Sequence, residues 1–230
     1  FEGMKIIMKA KEFNINDVID HIKARRDVFT SEADFQLEIG WAIKEKYPEA
    51  EVRMEYCPEF NGNMHIDIMV FCDKKQIIPI ELKYKTKKCN LKSDKDEFSY
   101  QLKNQGAVNN SCYDYLKDIQ RIEWLRDKFS KPNENEFEFE KGFTVFLTNN
   151  ESYKKGAKEA CEYREFSLKD NSDKGIGEFS WKNKDNKKSR KTPIRLKDNY
   201  HIEWHEYSQA EDKTGGTFYY LYNEIKKLNV

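Results

Sequence analysis

No run of 18 apolar residues occurs in this sequence, and a helix that crosses a bilayer needs about that length. No apolar segment typical of a signal peptide follows Met4, and residues 1–3 are expected to be an added remnant before a native start. The five cysteines are scattered and form no CxxC pair, so neither a disulfide framework nor a zinc ribbon is expected. Together these absences predict a protein of a reducing, cytoplasmic setting.

The chain also lacks net charge, since 41 Lys and Arg balance 41 Asp and Glu, so the bulk composition gives no support to nucleic-acid binding. The charges are nevertheless unevenly distributed. Eight Lys or Arg lie between Lys182 and Lys197, with Asp185 as the one acid, and a second basic run begins at Lys83. Such clustering can form a basic face, and it can equally be a set of solvated loops. If the basic face forms, the residues expected to contact nucleic acid are Lys85, Lys87, Lys88, Lys187, Lys188, Arg190 and Lys191.

Aromatic residues make up 14% of the chain, and rings in that number require a dry interior. Apolar periodicity predicts helices over 17–29, 31–47, 97–128 and 151–163. It predicts strands over 52–56, 65–71, 76–83, 142–148, 201–208 and 217–222. The lysine-rich stretch 167–198 has few apolar residues and is expected to be a long loop or an insertion. With no repeat and no linker, residues 1–230 are predicted to form a single α/β domain with a mixed central β-sheet flanked by helices.

Two of the predicted strands, HIDIMVF and QIIPIELK, carry the polar residues that point to chemistry. A hairpin centred on Lys74 places Asp67 opposite Glu81, and directly paired residues have Cβ atoms about 4.5–5.5 Å apart. Two carboxylates at that distance need a counter-charge, which a hard cation such as Mg²⁺ supplies. Lys83 shares a strand face with Glu81 and adds a positive charge beside such a cation.

An ordinary cross-strand ion pair on a solvated face would show the same acid–x–Lys pattern. The other positions of QIIPIELK are almost entirely apolar, however, which indicates a strand covered on both faces. Buried carboxylates in such a strand require a partner. The pattern therefore favours a functional centre over a surface ion pair.

A predicted helix supplies a third carboxylate. Ser31 is expected to cap this helix, with Asp34 three residues later, and Glu32 falls on the same face as Phe35 and Ile39. Glu32 is therefore expected to point at the sheet. The alternative is that Glu32 only interacts favourably with the helix dipole, as acids in first turns do.

A helix with Glu32, a strand with Asp67 and a paired strand with Glu81-x-Lys83 resemble the PD-(D/E)XK nuclease superfamily, which has the restriction-endonuclease-like fold. The matching segments are SEADF, HIDIMV and IELKYK, within residues 30–90. The resemblance implies a nuclease that hydrolyses phosphodiesters with Mg²⁺ or Mn²⁺, and it favours DNA over RNA. It implies metal ligands at Asp67, Glu81, the Leu82 carbonyl and Glu32, with Lys83 orienting or activating water. It also allows a homodimer.

The motif departs from the superfamily pattern in two places. Ile66 stands where the motif has proline, and Pro79 lies inside the strand that carries Glu81, where it cannot donate a ladder hydrogen bond. Helices that follow this motif often add a polar residue, which makes Gln101 and Gln105 further candidates. The amphipathic segment 113–125 is assigned to core and surface. The alternative functions are a nucleic-acid-binding protein with an inactive centre and a partner-dependent subunit of the same fold.

Overall fold

Helices cover both faces of a mixed seven-stranded β-sheet in the computed structural model, which describes residues 9–59, 61–72, 75–130, 137–183, 192–210 and 215–228. The helices are α1 (Ile15–Lys23), α2 (Glu32–Lys46), α3 (Val108–Lys128) and α4 (Ser152–Lys155). The first seven strands are β1 (Glu51–Tyr56), β2 (Ile66–Phe71), β3 (Gln76–Lys85), β4 (Cys89–Lys92), β5 (Ser99–Leu102), β6 (Glu138–Phe139) and β7 (Lys141–Thr148). The later strands are β8 (Ser172–Lys174), β9 (Gly177–Phe179), β10 (Ile194–Leu196), β11 (Tyr200–Ile202), β12 (Trp204–Gln209) and β13 (Thr217–Lys226).

The main sheet has the order β1-β2-β3-β7-β13-β12, with the short strand β6 pairing beside β3. Strands β1, β2 and β3 are antiparallel neighbours, whereas β3 and β7 run parallel. A parallel pair needs a crossover between its strands, and α3 lies in that crossover. The predicted α/β class with a mixed central sheet is therefore confirmed.

The predicted register of the hairpin is confirmed. A turn centred on residue 74 requires paired residues whose numbers add up to 148. The observed pairs fit this rule: Ile68 with Ile80, Met69 with Pro79, Val70 with Ile78 and Phe71 with Ile77. Residues 73–74 themselves lie outside the described part of the chain. Pro79 does not break the register, and the ladder runs through it without a bulge.

Two hydrophobic cores lie on opposite faces of the sheet. The first packs α1 and α2 against the even-numbered residues of β3, including Leu82 and Tyr84. The second packs α3 against the other face, where Met69 and Phe146 contribute. Ser31 caps α2 as predicted, since its Oγ accepts a hydrogen bond from the Asp34 N–H at 3.1 Å. Because side chains alternate along a strand, Glu81 and Lys83 face α3.

The helix predicted over 97–128 is wrong in its first part. Residues 89–102 form the β4–β5 hairpin, and α3 begins only at Val108. The buried residues of the hairpin alternate with exposed ones, and they join the first core: Cys89, Leu91, Tyr100 and Leu102. A period of two along a short segment favours a strand, so this alternation is the physical reason for the correction.

The helix predicted over 151–163 is also wrong beyond its first turn. Helix α4 ends at Lys155, and Gly156 follows with φ +75°, in the left-handed region that glycine adopts without strain. In its described part, the stretch 167–198 contains β8, β9 and β10, although a loop or an insertion is predicted there. Four of its apolar residues enter the second core: Leu168, Trp181, Ile194 and Leu196.

No helix in the described part of the chain combines the length and apolar character needed to cross a membrane.

Candidate functional site

The site lies where β2 and β3 stop pairing. Their ladder ends at Ile68 and Ile80, and the same register continued by one residue sets Asp67 opposite Glu81. Beyond this point the Leu82 N–H has no strand partner on the β2 side and donates instead to Asp67 Oδ2 at 2.6 Å. The Asp67 carboxylate therefore sits in a fork between two strands.

Side chains of α2 complete the fork. Glu32 Oε2 accepts from the Tyr84 N–H at 2.8 Å and from Lys85 Nζ at 2.8 Å. Gln36 Nε2 donates to the Asp67 carbonyl at 2.6 Å and to Glu55 Oε1 at 2.9 Å. The contacts to the Tyr84 N–H and to the Asp67 carbonyl satisfy backbone groups that the separated strands would otherwise leave unpaired.

Glu81 and Lys83 meet charged groups of α3. Glu81 is 1% exposed, and its Oε1 lies 2.7 Å from Arg121 Nη1. Lys83 Nζ lies 2.6 Å from Asp118 Oδ2, and Asp118 is 3% exposed. Arg121 also approaches Asp118 at 3.7 Å. We call Asp67, Glu81, Lys83, Asp118 and Arg121 the central charge cluster.

The central charge cluster contains three carboxylates and two cations, so full ionisation leaves it negative. Burial raises the pKa of Asp67 to about 6, against the opposing effects of Lys83 and the Leu82 N–H. Burial and the neighbouring carboxylates, Asp118 first, hold the pKa of Glu81 well above its ordinary value. Burial also raises the pKa of Asp118, although Lys83 and Arg121 oppose the change. The cluster therefore favours an added positive charge.

The pKa of Lys83 moves in the direction that keeps its ammonium charged. Burial alone would lower this pKa, but Asp118, Asp67 and Glu81 outweigh burial and raise it. Lys83 Nζ also donates to the carbonyl of Leu82 at 3.2 Å. The side chain is thus a fixed cation at the fork and, at neutral pH, a hydrogen-bond donor.

Oxygen donors suited to a hard cation lie at the fork: the carboxylates of Asp67 and Glu81 and the carbonyl of Leu82. No group of three or more His, Cys, Asp or Glu side chains is arranged to hold a metal ion within the described residues. The predicted third carboxylate, Glu32, is near enough for its charge to help raise the pKa of Asp67, but its Oε2 is held by the Tyr84 N–H and Lys85 Nζ. Mg²⁺ is commonly held by one or two carboxylates with waters and substrate phosphate, and the donors present fit that mode.

Three residues of the site are absent from the sequence-based prediction: Gln36, Asp118 and Arg121. The last two belong to segment 113–125, whose amphipathic pattern predicts only core and surface positions. A usable signal exists, since Asp118 falls within the apolar stripe of Tyr115, Ile119 and Ile122. An acid on a buried helix face requires a partner.

The remaining predicted residues lie apart from the central charge cluster. Lys85 is paired with Glu32, while Lys87 and Lys88 are exposed just after β3. Gln101 is exposed on β5, not on the predicted helix, and Gln105 Oε1 accepts from the Thr86 N–H at 3.3 Å. The other four predicted contacts lie outside the described residues: Lys187, Lys188, Arg190 and Lys191.

Comparison of this chain with protein-family models, with curated proteins and with solved structures gives no match.

Proposed function

We propose that this chain is a metal-dependent nuclease that hydrolyses phosphodiester bonds, with its centre at the fork between β2 and β3. The observation that carries the proposal is that the half-buried Asp67 and the buried Glu81 lie beside Lys83 in a cluster with more carboxylates than cations. Burial of unbalanced like charges is costly in a purely structural core. A bound divalent cation together with a phosphate group would balance it.

Each residue has a distinct part in this proposal. Asp67, Glu81 and the Leu82 carbonyl would hold Mg²⁺ or Mn²⁺, which supplies an activated water and polarises the phosphoryl oxygen when bound. Gln36 and the Leu82 N–H fix Asp67 from both sides. Lys83, held by Asp118, places a positive charge where negative charge develops on the phosphate. Glu32 holds the end of β3 and is assigned a positioning part.

The element order supports a restriction-endonuclease-like fold for this chain. Helix α2 is followed by the antiparallel strands β1, β2 and β3, then by α3 and the parallel strand β7. The positions of Asp67, Glu81 and Lys83 at the fork of that sheet support the same assignment. The resemblance is also the reason to propose DNA over RNA as the substrate.

A groove of about 400 Å³ adjoins the central charge cluster through Arg121, which forms part of its wall. The half-buried ring of Trp124 and the exposed cations of Lys117 and Arg195 also line this groove. Aromatic faces stack on bases and cations contact phosphates, so the lining of this groove is suited to binding a nucleic-acid strand next to the central charge cluster.

A second candidate function is nucleic-acid binding without catalysis. The ion pairs Arg121–Glu81 and Lys83–Asp118 favour it, because they already engage one proposed metal ligand and the proposed activating lysine. A closed ion-pair network of this kind can be purely structural. For the nuclease, Arg121 must leave Glu81 when the cation binds.

The deciding experiment incubates the protein with single-stranded, double-stranded and branched DNA and RNA, in Mg²⁺, Mn²⁺ or EDTA. We expect cleavage that requires a divalent cation and that is lost in Glu81→Gln and Asp67→Asn. The matched control is Glu151→Gln, which changes an exposed carboxylate that pairs with Lys155. No cleavage in any arm, together with intact binding of nucleic acid, would favour the second candidate. Cleavage by Glu81→Gln would instead show that the chemistry does not depend on this site.

A further inference from the structure

Strand β1 forms one edge of the main sheet. It pairs with β2 on one side, and no strand in the described part of the chain pairs with it on the other. All six of its residues are at least partly exposed. A strand edge with free N–H and C=O groups is a template for pairing with another strand.

An apolar patch adjoins this edge. Leu37 and Trp41 on α2 are 56% and 61% exposed, and Met54 on β1 is 39% exposed. With Val52 they line a groove of about 380 Å³ between α2 and β1. We call these four residues the edge patch. Its apolar side chains lie on one face of the sheet, because Val52 and Met54 alternate with charged residues along β1.

The charged residues of β1 are arranged so that the strand complements itself. Glu51 and Arg53 flank Val52, and in an antiparallel pairing centred on Val52 each Glu51 lies opposite the Arg53 of the other copy. Opposite charges directly across a ladder stabilise it, whereas like charges destabilise it. In the single chain, the same two side chains form an exposed ion pair at 2.5 Å.

We propose that β1 pairs antiparallel with β1 of a second copy of this chain, centred on Val52, to form a two-fold symmetric dimer. Glu55 has φ +51°, so the regular part of β1 ends at Met54 and limits the ladder to residues before it. The symmetry axis stands perpendicular to the joined sheet. Both α2 helices therefore lie on the same face, where Leu37 and Trp41 of the two copies meet across the axis.

The interface is tested by sedimentation equilibrium of the full chain over a range of concentrations. We expect a dimer for the wild type and about tenfold weaker association for Arg53→Glu, which places like charges opposite each other. The double variant Glu51→Arg/Arg53→Glu restores opposite charges and is expected to regain dimer formation. Arg164→Glu is the matched control, since Arg164 also forms an exposed ion pair, with Glu159.

The register is tested by oxidative cross-linking. In the proposed register, residue 52 of one copy lies directly opposite residue 52 of the other. We therefore expect Val52→Cys to form a disulfide-linked dimer that the wild type, with its native cysteines, does not form. Trp41→Ala is expected to weaken association while leaving the fold intact, because the ring is mostly exposed. A monomeric wild type, or equal association of the Arg53 and Arg164 variants, would overturn the proposal.

Discussion

The substitution Asp67→Asn isolates the cost of a buried carboxylate at the fork. Burial raises the pKa of Asp67 to about 6 in the folded protein, whereas the unfolded chain titrates near the ordinary value of 3.8. Between these two values the folded protein binds more protons than the unfolded chain. The free energy of unfolding therefore falls as the pH rises from about 4 to about 6.

The size of this effect follows from the two pKa values. Their difference corresponds to at most about 3 kcal/mol, fully expressed above pH 6. Asparagine has nearly the same shape, and its amide oxygen can accept the hydrogen bond that Leu82 N–H donates. We expect Asp67→Asn to be more stable than the wild type at pH 7 by up to about that amount, and to match it near pH 4.

Urea denaturation at pH 4, 5, 6 and 7, with EDTA present, measures the difference in unfolding free energy between Asp67→Asn and the wild type. Glu159→Gln serves as control because it alters a carboxylate that is 84% exposed, and its difference from the wild type is expected to stay flat. Replacing EDTA with Mn²⁺ at pH 7 should then stabilise the wild type and not Asp67→Asn, because only the wild type keeps both proposed carboxylate ligands. Equal stability of wild type and Asp67→Asn at every pH would refute the claim that ionised Asp67 is costly.

Three further substitutions give independent checks. Lys83→Ala is expected to lower the unfolding free energy by up to about 3–5 kcal/mol, because it leaves buried Asp118 with only the more distant cation of Arg121. Lys83→Met combined with Asp118→Leu should recover most of the loss in urea denaturation. Arg121→Gln frees Glu81, so calorimetric titration should show tighter Mn²⁺ binding than in the wild type. Gly156→Ala forces an alanine into a left-handed conformation and should cost about 1–3 kcal/mol, measured as a lower melting temperature.

Local patterning was enough to predict the hairpin and the residues at its open end. Register in a hairpin is fixed by the turn and by which residues must be buried, and both are visible in the sequence. Asp67 and Glu81 are equally far along the chain from the turn at residue 74, so the sequence alone predicts that they lie opposite each other. The same holds for α2, whose start is set by the Ser31 cap.

The partners from α3 could not be placed by such reasoning. Which residue of a crossover helix meets β3 depends on the rotation and position of the helix over the sheet, and sequence periodicity defines only its apolar face. Asp118 and Arg121 lie on the buried side of α3 and meet Lys83 and Glu81. Periodicity also failed over 97–107, where only two buried residues of β5, Tyr100 and Leu102, carry the strand signal.

The low average apolar content of 167–198 predicts a loop or an insertion, whereas its described part forms β8, β9 and β10. Four well-spaced apolar side chains are enough to pin a polar segment to a core, even when most of its residues are charged. Trp181 illustrates this, since its ring packs 5.0 Å from that of Phe166 and 5.8 Å from that of Tyr113. Spacing of large side chains, not mean hydropathy, would have indicated that this region packs against α3.

The central charge cluster bears on the choice between the two candidate functions. Replacing a buried ion pair with well-packed apolar residues is often neutral or stabilising by about 1–4 kcal/mol, so stability alone does not favour five charged side chains in this position. A purely structural network would also balance its charges, whereas this one holds three carboxylates against Lys83 and Arg121. The imbalance is the property that a cation-binding centre needs. If Lys83→Met combined with Asp118→Leu is fully stable but cleaves nothing, while the wild type cleaves, the cluster is retained for catalysis.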